Sequence, residues 1–404
     1  MPSLQLLDNV DAWVGGIPAG WKRVQLKHVA TKLNRPIQPE DEIVICTNKG
    51  TVEYRGENNP GLVSLTGNGY QGVMPGDLLI HGMDTWHGAI AVSDVQGQCT
   101  SVVHVCDSSE DKRYLSYYLR ALAFRGVYKA FSNGVRQNTS DFRSWMKAGE
   151  IPVALPPREL QARIADFLDA KCAEVDRAVS AAEQSIQEYK AYLDTLIAHK
   201  IQQAGGQRVK LSFFAESMLG KMLDQSQQRG INVHKYLANR DVQWFRLDTS
   251  DLSKMDFPED SFERYGIEDG DILACEGGEV GRCAVYRGES PDFYFQKAIH
   301  RIRVDQTIAH PEFIAYQMFS KSKTGNFMEV RRGQATFNHL TGEQLRQLRF
   351  ALPSLDEQQH IADFLDMKRA EFDRAVAAKQ AIIDELKSYK QSLIYEAVTG
   401  KLEV

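Results

Sequence analysis

Two long stretches of the chain carry apolar residues at spacings that alternate between three and four. The first runs from Arg158 to Gln203 and contains no glycine or proline. Ala, Glu, Lys, Leu and Gln dominate it, and these residues favour helix. The spacing predicts one long helix whose apolar stripe pairs with a second helix in a coiled coil. The stripe consists of Ala165, Leu168, Cys172, Val175, Val179, Ala182, Ile186, Tyr189, Leu193 and Leu196.

The second stretch follows Pro353 and keeps most of this stripe. Ser354 and Glu357 form the pattern of a capping box at its start. Three basic residues interrupt its apolar positions, so their long stems must extend past the helix contact. The stripe contains Ala362, Leu365, Phe372, Val376, Ile383, Leu386 and Leu393, with Arg369, Lys379 and Lys390 between them. Two helices buried inside one globular core are the alternative, but helices there usually span only ~11–12 residues.

The two stretches are copies of each other. IADFLDAKCAEVDRAV (Ile164–Val179) and IADFLDMKRAEFDRAV (Ile361–Val376) are identical at thirteen of sixteen positions and lie 197 residues apart. Upstream, PGDLLI faces DGDILA and RQNT faces GQAT in the same order. A period this long indicates a duplicated domain with a duplicated connector. The predicted segments are a globular region at 1–157, a helix at 158–204, a globular region at 205–353 and a helix at 354–404.

Short apolar or alternating runs occupy the globular regions and predict strands. DEIVICT, GDLLIHG, AIAVSD and TSVVHVC lie in the first region, and GDILACE, GRCAVYRG and HRIRVD lie in the second. One helix follows them in each region, at RYLSYYLRALAF and PEFIAYQMFSKS. Each region is therefore predicted to be α+β.

The connection after the first long helix predicts how the two helices run. Only Ala204 and Gly205 separate that helix from the second globular region. A parallel pair would need a linker of about 68 Å, since ~45 helical residues rise 1.5 Å each. We therefore expect two α+β domains joined by two long antiparallel helices in a coiled coil, with pseudo-twofold symmetry.

Composition places the chain among ordinary globular proteins, with 43% hydrophobic and 25% charged residues. The first residues lack a basic and apolar secretory pattern, and no apolar run approaches the ~18 residues of a membrane span. Six cysteines form no CxxC pair. We expect a reduced cytoplasmic protein with buried thiols, without a disulfide framework or a zinc site.

The net charge of −5 sits entirely in the repeated helices. Residues 158–204 hold six basic and eight acidic residues, and residues 354–404 hold seven and ten, whereas both globular regions are neutral. Basic residues cluster late in each globular region, with eight between Lys112 and Lys147 and six between Lys321 and Arg349. Such a locally basic face is compatible with phosphate contact, although scattered solvated charge explains it equally well.

Motifs of catalysis do not occur in the chain. There is no GxxxxGK[ST] loop, no GxSxG, no HExxH and no Asn-Pro-Pro-aromatic sequence. His81 and His87 are six residues apart, the wrong spacing for one helical face. We therefore predict no catalytic residue, no metal site and no bound cofactor.

The repeat resembles a known family. Two divergent regions, each followed by LP…QxxIADFLD…AExDRAV…YKxxLI, and the ending EAVTGKLEV are similar to the DNA-specificity subunit of type I restriction-modification systems. The resemblance covers the full length. It implies that each globular region is a target recognition domain that reads one half of a split double-stranded DNA sequence, with the helices as spacer.

The resemblance also implies partners. Two methyltransferase subunits would dock on the helices and carry S-adenosylmethionine with the catalytic motif that is absent here. Motor-nuclease subunits would join them for cleavage. The alternative from the residues alone is a two-lobed protein-binding scaffold with a coiled-coil spacer. Steep loss of duplex binding with salt would distinguish DNA recognition from the scaffold.

Two matched loops carry the residue types that read bases. Arg suits guanine, and Asn or Gln suits adenine. The loops are NGVRQNTS and RRGQATFN, although a shared capping role would also explain their match. The predicted DNA-binding residues are Arg136, Gln137, Asn138, Arg331, Arg332, Gln334 and Asn338. Residues 84–87 and 276–282 are second choices.

A second apolar stripe lies outside the heptad positions and is retained in both copies. It consists of Ile164, Phe167, Tyr192 and Ile197 with Ile361, Phe364, Tyr389 and Ile394. A coiled-coil pair does not use these positions. We predict that they bind the partner subunits; packing on the chain's own globular regions is the alternative.

Overall fold

The computed structural model describes residues 15–56, 69–131, 142–223, 230–257, 259, 261–325, 327 and 339–404. It divides into two compact units. The first unit comprises Met1–Glu183 and Gln380–Val404, and the second comprises Gln184–Lys379. The predicted domain boundaries lie at the starts of the two long helices. In the structure, the end of the first long helix belongs to the second unit and the end of the second long helix belongs to the first, each with the globular region of that unit. The four predicted segments stay a prediction about sequence modules.

The globular part of the first unit is built from short strands and helices. They are β1 (Lys22–Gln25), β2 (Ala30–Lys32), β3 (Val44–Cys46), β4 (Val52–Tyr54), β5 (Tyr70–Val73), β6 (Leu78–His81), β7 (Ile90–Val92), β8 (Gly97–Thr100), β9 (Val103–Ser108), α1 (Lys112–Phe124), α2 (Val127–Phe131), α3 (Trp145–Ala148) and β10 (Pro152–Leu155). The long helix α4 (Arg158–Gln203) begins in this unit and ends in the second.

The second unit repeats this order with additions. Its elements are β11 (Gln207–Lys210), β12 (Ala215–Leu219), β13 (Val233–Leu237), β14 (Val242–Gln243), β15 (Arg246–Leu247), β16 (Ser253–Asp256), α5 (Ser261–Tyr265), β17 (Ile272–Cys275), β18 (Cys283–Val285), β19 (Phe293–Phe295), β20 (Ile299–Val304), α6 (Pro311–Lys323), α7 (Gly342–Gln347) and β21 (Arg349–Leu352). The long helix α8 (Leu355–Val398) begins here and ends in the first unit.

The main sheets of the two units have the same topology. The first unit has the antiparallel order β2-β9-β6-β7, and the second has β12-β20-β17-β18. A strand pair also closes each globular region, with Lys22 opposite Leu155 and Gln207 opposite Leu352. The duplicated α+β fold predicted from the sequence is confirmed. The sheet β16-β13-β19, with β13 and β19 parallel, has no counterpart among the described strands of the first unit.

Each core is three layers deep. In the first unit Leu78 and Ile80 of the sheet, Tyr118 of α1, and Leu168 of α4 belong to one buried cluster, which Ile394 of α8 completes. In the second unit the corresponding cluster joins the sheet, α6 and Ala362 of α8. The α1 and α6 helices therefore lie between a sheet and the long helices. Burial of apolar area on both faces of these short helices stabilises them.

Two buried glutamines fasten the starts of the long helices. Gln161 accepts a hydrogen bond from the Asp111 amide (3.0 Å) and donates to the Pro156 carbonyl (2.9 Å). Gln358 makes the same pair of bonds with the His310 amide (2.9 Å) and the Pro353 carbonyl (3.0 Å). Each glutamine satisfies backbone groups that burial would otherwise leave unpaired. This explains the glutamine of the repeated LP…Q sequence.

The long helices pair antiparallel within each unit. In the first unit Lys390 binds Asp176 (2.6 Å) and Lys387 binds Glu183 (3.3 Å). Residue numbers along α8 therefore fall as those along α4 rise, which is an antiparallel arrangement. In the second unit the Lys379 ammonium lies 5.3 Å from the Tyr189 ring centroid. The long helices and their antiparallel pairing are thus as predicted. Lys390 and Lys379 of the stripe thus reach a carboxylate and an aromatic face on the facing helix.

All six cysteines are buried and free of disulfides. Burial raises the pKa of Cys99 and Cys106 to about 12, so these thiols stay protonated and unreactive at neutral pH. The described residues contain no group of His, Cys, Asp or Glu side chains placed to hold a metal ion. No helix in the described ranges is long and apolar enough for a membrane crossing.

Candidate nucleic-acid interface

Three backbone segments meet at one end of the sheet in the first unit. The Gly82 amide donates to the Val102 carbonyl (2.9 Å), and the Phe142 amide donates to the Gly82 carbonyl (3.1 Å). A Cβ at Gly82 would lie 2.9 Å from the Val102 oxygen, so the close approach requires glycine here. The loop after β6, the turn before β9 and the segment starting at Phe142 are therefore held together.

A buried histidine secures this junction in each unit. The His104 Nε2 lies 2.7 Å from the Phe142 carbonyl oxygen, and the His300 Nε2 lies 2.9 Å from that of Leu340. A carbonyl only accepts, so Nε2 carries the proton in both rings. Burial lowers the pKa of both histidines, which keeps them neutral at neutral pH.

The second unit forms the same junction around the hairpin after β17. The Leu340 amide donates to the Glu276 carbonyl (2.6 Å), and the Glu276 amide donates to the Ala298 carbonyl (2.8 Å). An isolated bridge pairs Gly277 with His339. These segments border a cleft of about 460 Å³, lined by Met222, Leu223, Glu276, Gln296, Lys297, Ala298 and His339.

The turn that enters this cleft has an unusual backbone. Ala298 has a φ of +83°, a left-handed conformation that non-glycine residues rarely adopt. Neighbouring backbone bonds hold the turn, since the Lys297 amide donates to Lys221 (2.7 Å) and the Gln296 amide to Leu237 (3.0 Å). Strain of this kind is concentrated at functional sites. It fixes the direction in which Gln296 and Lys297 present their side chains.

The seven predicted DNA-binding residues lie outside the described residues. They are Arg136, Gln137, Asn138, Arg331, Arg332, Gln334 and Asn338. The described residues that follow the two loops are Phe142 and His339, and both belong to the junctions above. Each predicted loop therefore leads into the same end of the sheet in its own unit.

The second-choice segments 84–87 and 276–282 contribute differently. His87 is exposed, whereas Trp86 is half-buried, with the Lys129 ammonium 5.8 Å from its ring centroid. In the other segment the charged side chains bind within the protein. Glu279 accepts from the Trp244 indole (2.8 Å), and Arg282 donates to the Asn239 side chain (2.8 Å). These two groups serve the hairpin itself.

Most of the basic residues counted before the first loop also have structural partners. Lys112 binds Asp107 (2.7 Å), Arg113 binds Asp166 (2.8 Å), and Arg120 is buried. Arg143, next to Phe142, is exposed. The count of basic residues therefore overstates the positive charge available to phosphates in this unit.

The predicted partner-binding stripe lies mostly inside the protein. Ile164 and Ile394 are buried in the core of the first unit, and Ile197 is buried against α6 in the second. Phe167, Ile361 and Phe364 are half-buried against the same clusters. Tyr192 and Tyr389 are 66% and 52% exposed. The three buried isoleucines face their own globular regions, because the long helices cover α1 and α6, and this burial leaves no surface for a partner.

Comparison with known proteins adds to this geometry. Residues 216–388 match the family model of the type I restriction modification DNA specificity domain. This part of the chain is therefore similar to the specificity domain of that family. The predicted resemblance is confirmed over the second globular region and much of α8. The main sheet of the first unit has the same topology as the sheet within the matched region.

Solved structures share the fold of this chain over almost its whole length. A chain from a study of complex assembly and conformational transition of the type I R-M system has a TM-score of 0.74, with 16% identity, and covers 96% of this chain and 99% of its own. The HsdS subunit from Thermoanaerobacter tengcongensis has a TM-score of 0.51 at 16% identity, with 96% and 98% covered.

Sequence reasoning missed Gln296, Lys297 and His339 as site residues. The run PDFYFQK carried no usable signal, because the positive φ of Ala298 arises from bonds to distant segments. The repeated topology offered an indirect route. Gln296 and Lys297 precede the strand that pairs with GDILACE, as Ser101 and Val102 precede the strand that pairs with GDLLIHG.

Proposed function

We propose that the chain is the noncatalytic DNA-recognition subunit of a type I restriction-modification complex and that each globular region reads one half of a bipartite target. The observation that carries this proposal is the same three-segment junction at the same sheet end in both units, one of them within the matched specificity domain. Two equal readers on one chain suit a target with two halves.

The groups at the junctions have the chemistry of duplex contact. Lys297 and Arg143 are exposed cations for phosphate oxygens. Gln296 is an amide of the kind that pairs with adenine in the major groove. Phosphate contacts fix the register and base contacts carry specificity, so both kinds are needed at one site. Apolar side chains that line the cleft of the second unit, Met222 and Leu223, add contact area.

The catalytic steps belong to partners in this proposal. Methyltransferase subunits, two per chain, bring S-adenosylmethionine, and motor-nuclease subunits join for cleavage. The long helices act as the spacer between the two half-sites. This chain orients DNA relative to the partners through fixed docking surfaces on those helices.

The docking surfaces are best placed at the exposed tyrosines. Tyr192 borders a groove of about 250 Å³ with Leu193, Leu196, Phe372 and the Lys368–Glu371 ion pair (2.9 Å). In the first unit Tyr389 lies beside the matching Lys171–Glu174 pair (2.9 Å). Two like surfaces suit two copies of one partner. Aromatic side chains with adjoining charges are typical of interface anchors.

Reconstitution tests the proposal. The purified chain, with labelled S-adenosylmethionine and DNA, should transfer no label until a cognate methyltransferase subunit is added. With that subunit, methylation should map to one bipartite motif, and duplex binding should weaken steeply with salt. Label transfer by the chain alone would overturn the noncatalytic assignment. Salt-independent binding to proteins, with no duplex binding, would favour the two-lobed scaffold.

Domain replacement tests the division of labour. When another family member's domain replaces residues 206–353, one half of the methylated motif should change and the other should stay. The unmodified chain is the control in the same cells. A change in both halves would show that the globular regions do not read independently.

A further inference from the structure

The contact between each short inner helix and its long helix has the same register in both units. The Tyr117 hydroxyl donates to Asp169 (2.7 Å), and the Tyr316 hydroxyl donates to Asp366 (2.7 Å). Tyr316 lies 199 residues after Tyr117, and Asp366 lies 197 residues after Asp169. These shared bonds identify which residues of α1 and α4 correspond to which residues of α6 and α8.

One turn farther along, the matched pair of residues differs. The first unit has Arg120 on α1 and Cys172 on α4, whereas the second has Phe319 on α6 and Arg369 on α8. Cys172 and Arg369 are one of only three differences between the two copies of the sixteen-residue repeat. The cation therefore lies on the inner helix in one unit and on the long helix in the other.

Arg120 is tailored to the first unit. It is 6% exposed, and its guanidinium carbon lies 6.0 Å and 5.7 Å from the ring centroids of Tyr117 and Phe124. Its Nη2 donates to the Lys49 carbonyl (2.8 Å) at the tip of the β3–β4 hairpin. Gly50 has a φ of +84°, and a Cβ there would lie 2.3 Å from the guanidinium. A side chain at position 50 would be strained by this φ and would displace the guanidinium from its present position.

Arg369 is tailored to the second unit. Its guanidinium carbon lies 4.8 Å from the Phe245 ring centroid, and its Nη1 donates to the Tyr316 hydroxyl (3.3 Å). Phe245 and Trp244 form the tip of the β14–β15 hairpin and pack on Phe319, with ring centroids 5.4 Å and 4.9 Å away. An aromatic hairpin tip thus replaces the glycine tip, and the cation comes from the other helix.

We propose that the different position of this cation in the two units acts as a key. It makes each globular region specific for its own long-helix segment, so that neither region packs stably against the segment of the other. A region carrying Arg120 placed against α8 would bring the buried Arg120 guanidinium against the half-buried one of Arg369. A region carrying Phe319 and Phe245 placed against α4 would meet Cys172 and lose its cation. Like charges and lost partners in a buried contact discriminate strongly against the wrong pairing.

The carboxylates near the contact do not relieve the clash. Asp169 already accepts from Tyr117 and Arg113, and Asp176 already accepts from Lys390 (2.6 Å). In the second unit Asp366 accepts from Tyr316 and pairs with Arg369 (3.4 Å). The key concerns domain placement and stands apart from DNA binding. Together with the proposed function, it fixes which half-site is read by the amino-terminal region.

Substitutions in the full-length chain test the key. Cys172→Arg should lower the Tm of the first unit by about 5–10 °C, because a buried like-charge contact costs several kcal/mol and each shifts Tm by ~2–4 °C. Cys172→Met, of similar length without charge, is the matched control and should lower it less than half as much. The double variant Arg120→Phe with Cys172→Arg should show a smaller decrease in Tm than the sum of the decreases in the two single variants. Equal losses for Cys172→Arg and Cys172→Met, or simple additivity in the double variant, would refute the key.

A positional exchange gives an independent test. A chimera in which a second copy of residues 22–155 replaces residues 207–352 joins the same strand pair at both ends. Arg369→Cys should raise the Tm of this chimera and lower the Tm of the native chain. A decrease in both proteins would contradict the proposal. Should the chimera not fold with or without Arg369→Cys, the substitutions in the native chain decide.

Discussion

At the scale of single residues, buried polar side chains hold the ends of the proposed DNA-contacting segments. His104 and His300 bind the backbone directly after the two loops, while Gln161 and Gln358 donate to the backbone carbonyls before the long helices. Each pair makes the same bond in both units. A bond to a buried backbone group is expensive to lose, because the stranded carbonyl keeps its full desolvation cost.

The two histidines predict a pH dependence of stability. Their folded-state pKa lies below the usual value, so the unfolded chain binds protons first as the pH falls. The free energy of unfolding should therefore decline below about pH 6.5 and level off once the pH passes the lowered pKa. Urea titrations across this range measure the slope. His104→Gln with His300→Gln keeps an N–H donor and should flatten the slope, although His81, whose pKa burial also lowers, retains part of it. An unchanged slope in the double variant would contradict this assignment.

Lys297 predicts a change in salt dependence. Lys297→Ala should weaken duplex binding of the reconstituted complex about uniformly across sequences and reduce the salt slope by about one, the signature of one lost phosphate contact. Fluorescence anisotropy at several salt concentrations measures both quantities. Lys235→Ala is the matched control, since that lysine already pairs with Asp292 (3.6 Å). Equal effects of the two substitutions would remove Lys297 from the interface.

Residue roles were only partly predictable from the sequence. The paired LP…Q repeat marks Gln161 and Gln358 as shared, yet it does not reveal that they bind the backbone amides of Asp111 and His310 just before the inner helices. Gln296 and Lys297 were not predicted as site residues. The turn that presents them depends on the φ of Ala298, which tertiary hydrogen bonds to β13 and Lys221 hold. Local sequence carries no trace of bonds made with segments so far away.

At the scale of elements, the long helices were the most predictable part. The absence of glycine and proline and the three-four spacing gave α4 its bounds, and the Glu357 amide does bind the Ser354 hydroxyl (3.3 Å) as a cap. The role of the second stripe was harder to predict. A helix face shows the same apolar periodicity whether it packs on its own domain or on a partner. Burial of Ile164, Ile197 and Ile394 shows that this face is largely internal.

The exposed tyrosines predict how the partner subunits assemble. Tyr192→Ala and Tyr389→Ala should each remove one methyltransferase subunit from the complex, and the double variant should remove both, since aromatic anchors commonly contribute at least ~2 kcal/mol. Native mass spectrometry gives the stoichiometry. Phe213→Ala is the control, because this exposed aromatic lies outside the long helices. Retention of both subunits by the double variant would place docking elsewhere.

At the scale of the whole molecule, duplication explains most of the architecture and divergence explains the rest. The sheets β2-β9-β6-β7 and β12-β20-β17-β18 have one topology, and the inner helices have one register. The sheet β16-β13-β19 belongs to the second unit and supplies one bond to the cleft turn, in which the Gln296 amide donates to the Leu237 carbonyl. The order of the repeated sequences predicted the α+β fold that the two units share. It could not predict the sheet β16-β13-β19, because the first globular region offers no matching sequence for comparison.

The spacer role predicts the outcome of lengthening both helices together. The globular region of the second unit packs on α8 as far as Arg369, and Ile197 and Ile201 of α4 belong to the same cluster, so an insertion in α4 alone would break these contacts. Four residues inserted after Glu183 in α4 and four after Lys379 in α8 fall at the limits of the two units.

Such a paired insertion adds about 6 Å and a rotation of about 40° to the helices. One base pair adds ~3.4 Å and turns the duplex by ~35°, in the same right-handed sense. The second recognition domain should therefore meet its half-site again after one or two further base pairs. We expect unchanged half-sites and a spacer lengthened by that amount in the methylome of cells carrying the insertion, while the single insertion in α4 abolishes methylation. Methylation at the original spacing would mean that the helices do not set the distance between the half-sites.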